Sequence, residues 1–493
     1  MKKFFKFLLF IIILHSCSLD NKTGIWNDSK YIQKVKKIES KDIKNLNKNK
    51  KFKIKCAFIK KKIDYEVCLG GELAKKNNPK LKNVFVFDRP INFEKKVDLN
   101  SKKFLIEKPL KNINWLQENY SNFNNISNFY YLNTKKKIFR SRTLSKSFSN
   151  SNLDYFKPTK PLVFNDNIIS FDQKGKIYFY SIKNKKKLWE YNFYKTKFKN
   201  YKKLIYLHIY NNVIYAADNL GYLYALELET GNLIWAKNFG IPFRSNIKII
   251  DNQIFLANQD NIVYAIDLEG EIIWQFATSL TFLKTDFFNS IILDEDASNL
   301  IFYNTSGELY SINIYNQKIN WVINTVSLGG SGSSGVLLSV PIIANKNNVY
   351  VYNGNSLSSY SKLSSQKNWS LTAALKIKPV ISGNNLYIIT KNNFLACLDS
   401  TTGEVLWSTN VYNSLNIKDS KIEKKFGIIS NLIIAQNEIF LFTSKGQIFS
   451  FNFNDGSLIS NKKILKSGLS TDPILSDGYL YVFDRSYRIY KFK

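Results

Sequence analysis

Beyond about residue 160 the chain is written in short apolar runs broken by Asn, Asp and Gly. Residues 211–238 show the pattern: a turn at Asn211-Asn212, the run VIYAAD, and a second turn at Asn219-Leu220-Gly221. YLYALEL follows, apolar on both faces, which predicts a strand with layers packed on either side. Glu229-Thr230-Gly231-Asn232 turns the chain again into LIWAKN, and SNIKII at 245–250 leads into the next unit. Turn residues tolerant of positive φ at these spacings predict a small antiparallel meander of four strands.

The meander repeats. Gly221 precedes Trp235 by 14 residues, and the same interval separates Gly175 from Trp189, Gly307 from Trp321, Asn355 from Trp369 and Asn393 from Trp407. Asn261 to Trp274 is one residue shorter, and a seventh copy from Gly446 places Ser460 at the tryptophan position. Such sheets cannot hide two apolar faces alone, so stacking them radially predicts an all-β, eight-bladed β-propeller of four-stranded antiparallel blades, seven blades being the competing count. Trp189, Trp235, Trp274, Trp321, Trp369 and Trp407 are then expected to wedge between blades. The final stretch DPILSDGYLYVFDRSYRIYKFK offers only three strands, so an amino-terminal strand within KKIFRSRT (136–143) is expected to close the last blade.

The amino terminus reads differently. MKKFFKFLLFIIILHSC is a basic start, a short apolar run and a cysteine, too short for the roughly 20 apolar residues that span a bilayer. Leu14-His15-Ser16-Cys17 resembles a bacterial lipobox, with His15 departing from the usual small residue. The resemblance implies a signal at 1–16, acylation of Cys17 and attachment to a membrane, and Ser18 after the cysteine is similar to outer-membrane sorting. Residues 17–135 are expected to be a Lys/Asn-rich tether with some local structure, NVFVFDRP and KNINWLQENY being candidates, and 136–493 to be the propeller.

A formal charge of +33 raises nucleic acid as a partner, but residues 18–160 carry 34 Lys+Arg against 13 Asp+Glu, so the ring itself is only mildly basic. An exported protein would not meet nucleic acid. Polybasic chain beside an anchor can lie on anionic lipid, although abundant Lys, Asn and Ile along the whole chain also fit plain compositional bias. Of the four cysteines, Cys56 and Cys68 can pair in an oxidising compartment or stay free, and Cys397 reads as a small core residue. With only His15 and His208 in the chain, histidine-based metal or triad sites are nearly excluded; His208 reads as a packed strand residue.

The repeats GYLYALELETGNLIW and NFLACLDSTTGEVLW resemble the PQQ-type propeller repeat, and with the lipobox the chain is similar to the BamB family of outer-membrane assembly lipoproteins. The resemblance covers roughly 138–493 plus the signal. It implies a non-catalytic, periplasm-facing scaffold without cofactor or metal, docked on a POTRA domain of BamA beside the other assembly lipoproteins. Docking in that family uses an apolar-then-basic loop after the fourth blade. Counting the composite blade first, that loop follows Trp274 and offers Leu280, Phe282, Leu283 and Lys284. Phe282 and Leu283 can equally begin the next strand, and GIPFRSN offers Phe243 and Arg244 one blade earlier. The following loop, VSLGGSGSSGVLLSVP, lacks the acidic residue of the family pattern. Two other classes compete: a propeller scaffold of another envelope complex, and a quinoprotein dehydrogenase, whose adjacent cysteines this chain lacks.

Overall fold

The computed structural model describes residues 18–19, 26–27, 107–145, 160–194, 198, 201–280, 289–294, 298–326, 337, 339–412, 415 and 419–493. They belong to two units. In Met1–Phe87 the described part is an antiparallel pair, Ser18–Leu19 with Trp26–Asn27. Among the described residues, the unit Asp88–Lys493 holds eight four-stranded antiparallel sheets and one short helix, Asp419–Phe426.

The sheets are the blades of a propeller. Numbered from the composite blade, blade 2 spans residues 162–192, blade 3 205–238, blade 4 248–277, blade 5 290–324, blade 6 343–372, blade 7 380–410 and blade 8 429–463. First strands of neighbouring blades touch each other, which places them around the axis with the fourth strands at the rim. Blade 1 joins the two ends of the ring: Ile474–Ser476, Tyr479–Phe483 and Ile489–Phe492 come from the carboxyl terminus, and Lys137–Arg140 pairs on Ile489–Phe492 as the outer strand. The expected eight blades and amino-terminal closing strand are both present.

Local chemistry explains the hairpins. Asn211 and Asn212 both take positive φ (48° and 59°), as do Asp251 and Asn252, giving the doubly left-handed turn whose twist matches two antiparallel strands. Between the third and fourth strands each regular blade carries a one-residue register shift, as at Ala225/Leu226. Beside it the tryptophan faces a small residue in blades 3 to 7, as Trp235 does Ala225, Trp321 Ser311 and Trp407 Cys397, whereas in blade 2 Trp189 faces Phe179. Cys397 is thus a fully buried small core residue, its thiol pushed up by burial.

Each tryptophan reaches across to the next blade. The indole Nε1 of Trp189 donates to Leu228 O (2.9 Å), that of Trp235 to Leu268 O (2.8 Å), Trp274 to Ile314 O (3.1 Å), Trp321 to Lys362 O (2.8 Å) and Trp369 to Ser400 O (3.0 Å). The ring of Trp189 lies on Gly231, where a Cβ would sit 2.4 Å from it, and Gly231 holds φ +73°. The Thr-Gly turn of one blade is therefore the seat of the preceding blade's tryptophan. The apolar clusters likewise lie between blades, one joining blades 3 and 4 and another blades 4 and 5.

One expectation is corrected here. The segment 107–135, assigned to the tether, is part of the ring. Its main chain passes the inner strands of all eight blades in order. Asn112 Nδ2 donates to Leu475 O (2.8 Å) on blade 1, Trp115 N to Val163 O (2.7 Å) on blade 2, and Leu116 O accepts from Ile209 N (2.8 Å) on blade 3. Lys248 of blade 4 reaches Ser121 O (2.6 Å), and Leu293 and Ala344 of blades 5 and 6 donate to Asn122 O and Phe123 O (3.1 and 3.0 Å). Asn125 pairs both ways with Ile381 of blade 7 (2.9 Å each), Phe129 N donates to Ile434 O of blade 8 (3.0 Å), and Leu132 N to Gly478 O back on blade 1 (3.1 Å). The physical reason is that inner strands at an axis leave peptide groups without strand partners, and this segment satisfies them.

Candidate functional site

The circuit of 107–135 lies near the first hairpin turn of each blade and forms the floor of a central chamber. Trp115, Glu118, Asn119 and Ile126 line the chamber from this floor, and the beginnings of the inner strands form its walls. Its volume is about 580 Å³, within the usual range of small-ligand sites. The walls are mainly apolar, with Leu204, Val340, Leu375, Ile377, Leu432 and Ile433 among them.

Four ionisable side chains meet at the floor. Lys160 pairs with Glu118 and lies 3.7 Å from Asp472. Burial lowers its pKa, but the two carboxylates outweigh burial and hold it above the ordinary value. Lys378 has a different setting: its Nζ donates to Asn119 Oδ1 (3.1 Å) and Asn124 O (2.6 Å), both neutral. Burial, with Lys160 nearby, pulls it down to about 7 against weaker support from Asp472 and Glu118. It touches the chamber yet is surrounded by protein, so some solvent contact coexists with strong desolvation. Nearby on blade 7, Lys376 bonds Asn393 Oδ1 (2.9 Å) and lies 3.9 Å from Glu423, its pKa lowered by burial.

Two further buried groups hold the floor. His208 Nδ1 contacts Ile247 O (3.1 Å), and burial takes its pKa down to about 4, keeping the ring neutral. Lys362 and Asp294 form an ion pair at 2.8 Å, each 6% exposed, with the ammonium 4.5 Å from the Phe123 ring of the circuit.

The residues expected at a docking surface are scattered in their outcomes. Leu280 is 64% exposed beyond blade 4. Phe282, Leu283 and Lys284 lie outside the described residues, as do Cys17, Cys56 and Cys68. Phe243 is corrected: it is fully buried, its backbone bridged to Asn258 and its ring edge-on to Phe239 (5.2 Å), so it cannot meet a partner. The sequence Ile-Pro-Phe-Arg suggested a loop tip, but the phenyl ring fills the gap between blades 3 and 4. Arg244 beside it is half-buried. The outer strands of blades 3 to 5 expose Leu233, Ile234, Ile272, Ile273, Ile319 and Val322.

Sequence reasoning missed the circuit, and it also missed a recurrent turn device. Asp172, Asp218, Asn258 and Asn304 occupy one position in successive blades, and each side-chain oxygen accepts from the main chain two and four residues on, as Asp218 Oδ1 does from Leu220 N and Tyr222 N (2.8 Å each). The signal was available three residues before each turn glycine or asparagine.

Comparison with known proteins follows the fold. The family described as outer membrane protein assembly factor BamB matches residues 174–409. BamB of Yersinia pestis is 20% identical over 294 residues, spanning 55% of this chain and 69% of its own. An uncharacterized protein of Rickettsia prowazekii is 24% identical over 319 residues, 62% of this chain and 75% of its own. Among solved structures, BamB from Moraxella catarrhalis superimposes with a TM-score of 0.57 at 16% identity, covering 73% of this chain and 99% of that one. The quinohemoprotein alcohol dehydrogenase of Comamonas testosteroni shares the fold with a TM-score of 0.56 at 10% identity, over 77% and 80% of the two chains. The matched repeats, the eight blades and the BamB-named relatives agree: the chain is a BamB-like propeller built of PQQ-type repeats.

Proposed function

We propose that the protein is a non-catalytic scaffold of the outer-membrane β-barrel assembly machinery, docked on a POTRA domain of BamA and held at the periplasmic face of the outer membrane by acylated Cys17. The observation carrying this reading is the match of residues 174–409 to the assembly-factor family. Leu280 is exposed three residues beyond the outer strand of blade 4, and the outer strands of blades 4 and 5 expose further apolar side chains of the kind an interface core uses. The docking loop then comprises Leu280, Phe282, Leu283 and Lys284, with Arg244 in the alternative loop one blade earlier, and residues between Cys17 and the ring form the tether.

Affinity recovery of the tagged protein in mild detergent, with mass spectrometry of what accompanies it, tests this. BamA and its lipoproteins should accompany the native chain and be lost, at least tenfold, with a Leu280→Glu, Phe282→Glu double variant of unchanged melting temperature. Recovery of other partners without BamA sinks the assignment, and retention of BamA by the variant sinks the loop. Incorporation of labelled palmitate that disappears in Cys17→Ser checks the anchor.

A further inference from the structure

We propose that the central chamber is a binding site for an amphiphilic carboxylate, its single carboxylate seated on Lys378 and its apolar body lying along Leu375, Ile377, Val340 and Leu432. This goes beyond the scaffold reading and does not depend on it.

The charge balance of the floor selects the head group. Of the two carboxylates there, Glu118 is bonded to Lys160 and Asp472 lies 3.7 Å from the same ammonium. Lys378 is left with two neutral acceptors, Asn119 Oδ1 and Asn124 O, and an ammonium has a third proton to give. A buried cation whose partners are all neutral is unfavourable, and this one loses part of its charge near neutrality. A bound carboxylate would supply the missing counter-charge and a charge-assisted hydrogen bond. Beside Lys378 there is room for one such charge, because Glu118 and Asp472 stand close to the same ammonium.

The body follows from the walls. They are mostly apolar, and a chamber of about 580 Å³ is larger than a free carboxylate or phosphate needs. The charged groups acting on Lys378 are Lys160, Glu118 and Asp472, with Asn119 and Asn124 of the circuit as its hydrogen-bond partners; the lining also carries Lys376, bonded to Asn393 and 3.9 Å from Glu423, and Lys391. Binding therefore carries a signature: the head group raises the pKa of Lys378, so the complex takes up a proton from a solution above neutrality.

Titration calorimetry of the full chain with decanoate tests this, in HEPES and Tris buffers at pH 8 and in MES and Bis-Tris buffers at pH 6. One molecule should bind per chain. The two buffers should differ at pH 8 by the heat of nearly one proton taken up, and at pH 6 by almost nothing. Decanol should bind at least tenfold more weakly and take up no proton. Lys378→Met should lose the proton uptake and the preference for decanoate. Val340→Trp, which narrows the chamber from the blade 6 side and leaves Lys378 in the chain, should lose both ligands while keeping its melting temperature. Absence of decanoate binding, equal binding of decanoate and decanol without proton uptake, or unchanged decanoate binding in a folded Lys378→Met would each overturn the proposal.

Discussion

Replacing Asn124 by alanine tests whether the circuit holds the ring together or merely lies in it. Asn124 is fully buried, and its Nδ2 donates to Ile291 O (2.9 Å) on blade 5 and Ile342 O (3.2 Å) beside blade 6. Its Oδ1 accepts from Asn246 Nδ2 (3.0 Å), which leads into blade 4. One amide thus ties three blades. Losing a buried partner costs about 1–3 kcal/mol per group left unsatisfied, and three groups are affected. The residue also holds φ 56°, which asparagine tolerates and alanine does not, for roughly 1 kcal/mol more. Relaxation recovers part of this, so we expect a loss of about 4 kcal/mol, a large share of the roughly 5–15 kcal/mol that holds a typical fold. Asn124→Gly loses the same bonds without the backbone strain and should be about 1 kcal/mol less damaging. Urea unfolding of the full chain followed by tryptophan fluorescence measures both. A value for Asn124→Ala within about 0.5 kcal/mol of the native protein would refute the claim that the circuit ties the blades.

Other consequences can be checked in parallel. His208 titrates near 4 when folded against an ordinary 6.5, so the unfolded chain binds the proton first as pH falls. Its contribution is complete above about 6.5 and is lost between there and about 4, up to roughly 3 kcal/mol; His208→Gln should flatten that part of the melting-temperature profile, and equal slopes would disprove it. The inter-blade tryptophans should differ in what the indole N–H contributes. Trp235 donates to Leu268 O at 2.8 Å, whereas Trp407 Nε1 is buried with no acceptor in place. Trp235→Phe should therefore cost about 1 kcal/mol more than Trp407→Phe in the same urea assay, and the reverse order would contradict the geometry. Gly231→Ala must move the Trp189 ring and hold a positive φ, so a fall in melting temperature is expected, and an unchanged value would count against the seat described.

The sequence alone determined the blades. A tryptophan at a fixed distance from a turn glycine or asparagine and Asn-rich hairpins are local signals, and each is repeated often enough that the ring, its count and its closing strand could be read from spacing. Such patterns are legible because a strand's alternation and a turn's φ depend on near neighbours. The circuit was invisible for the opposite reason. Asn124 and Asn125 look like loop residues in NFNNISN, and only the tertiary structure brings them to carbonyls more than 150 residues away, at Ile291, Ile342 and Ile381. Phe243 shows the same limit, since an apolar residue beside a cation reads alike whether it points to solvent or into the gap between two blades. Lys378 shows it for charge: no feature of LKIKPV distinguishes it from any other lysine of a lysine-rich chain. Its neutral partners, and the carboxylates drawn instead to Lys160, come from Asn119, Asn124, Glu118 and Asp472. Closing the ring brings these distant parts of the chain into one desolvated space, where the balance of charge is set.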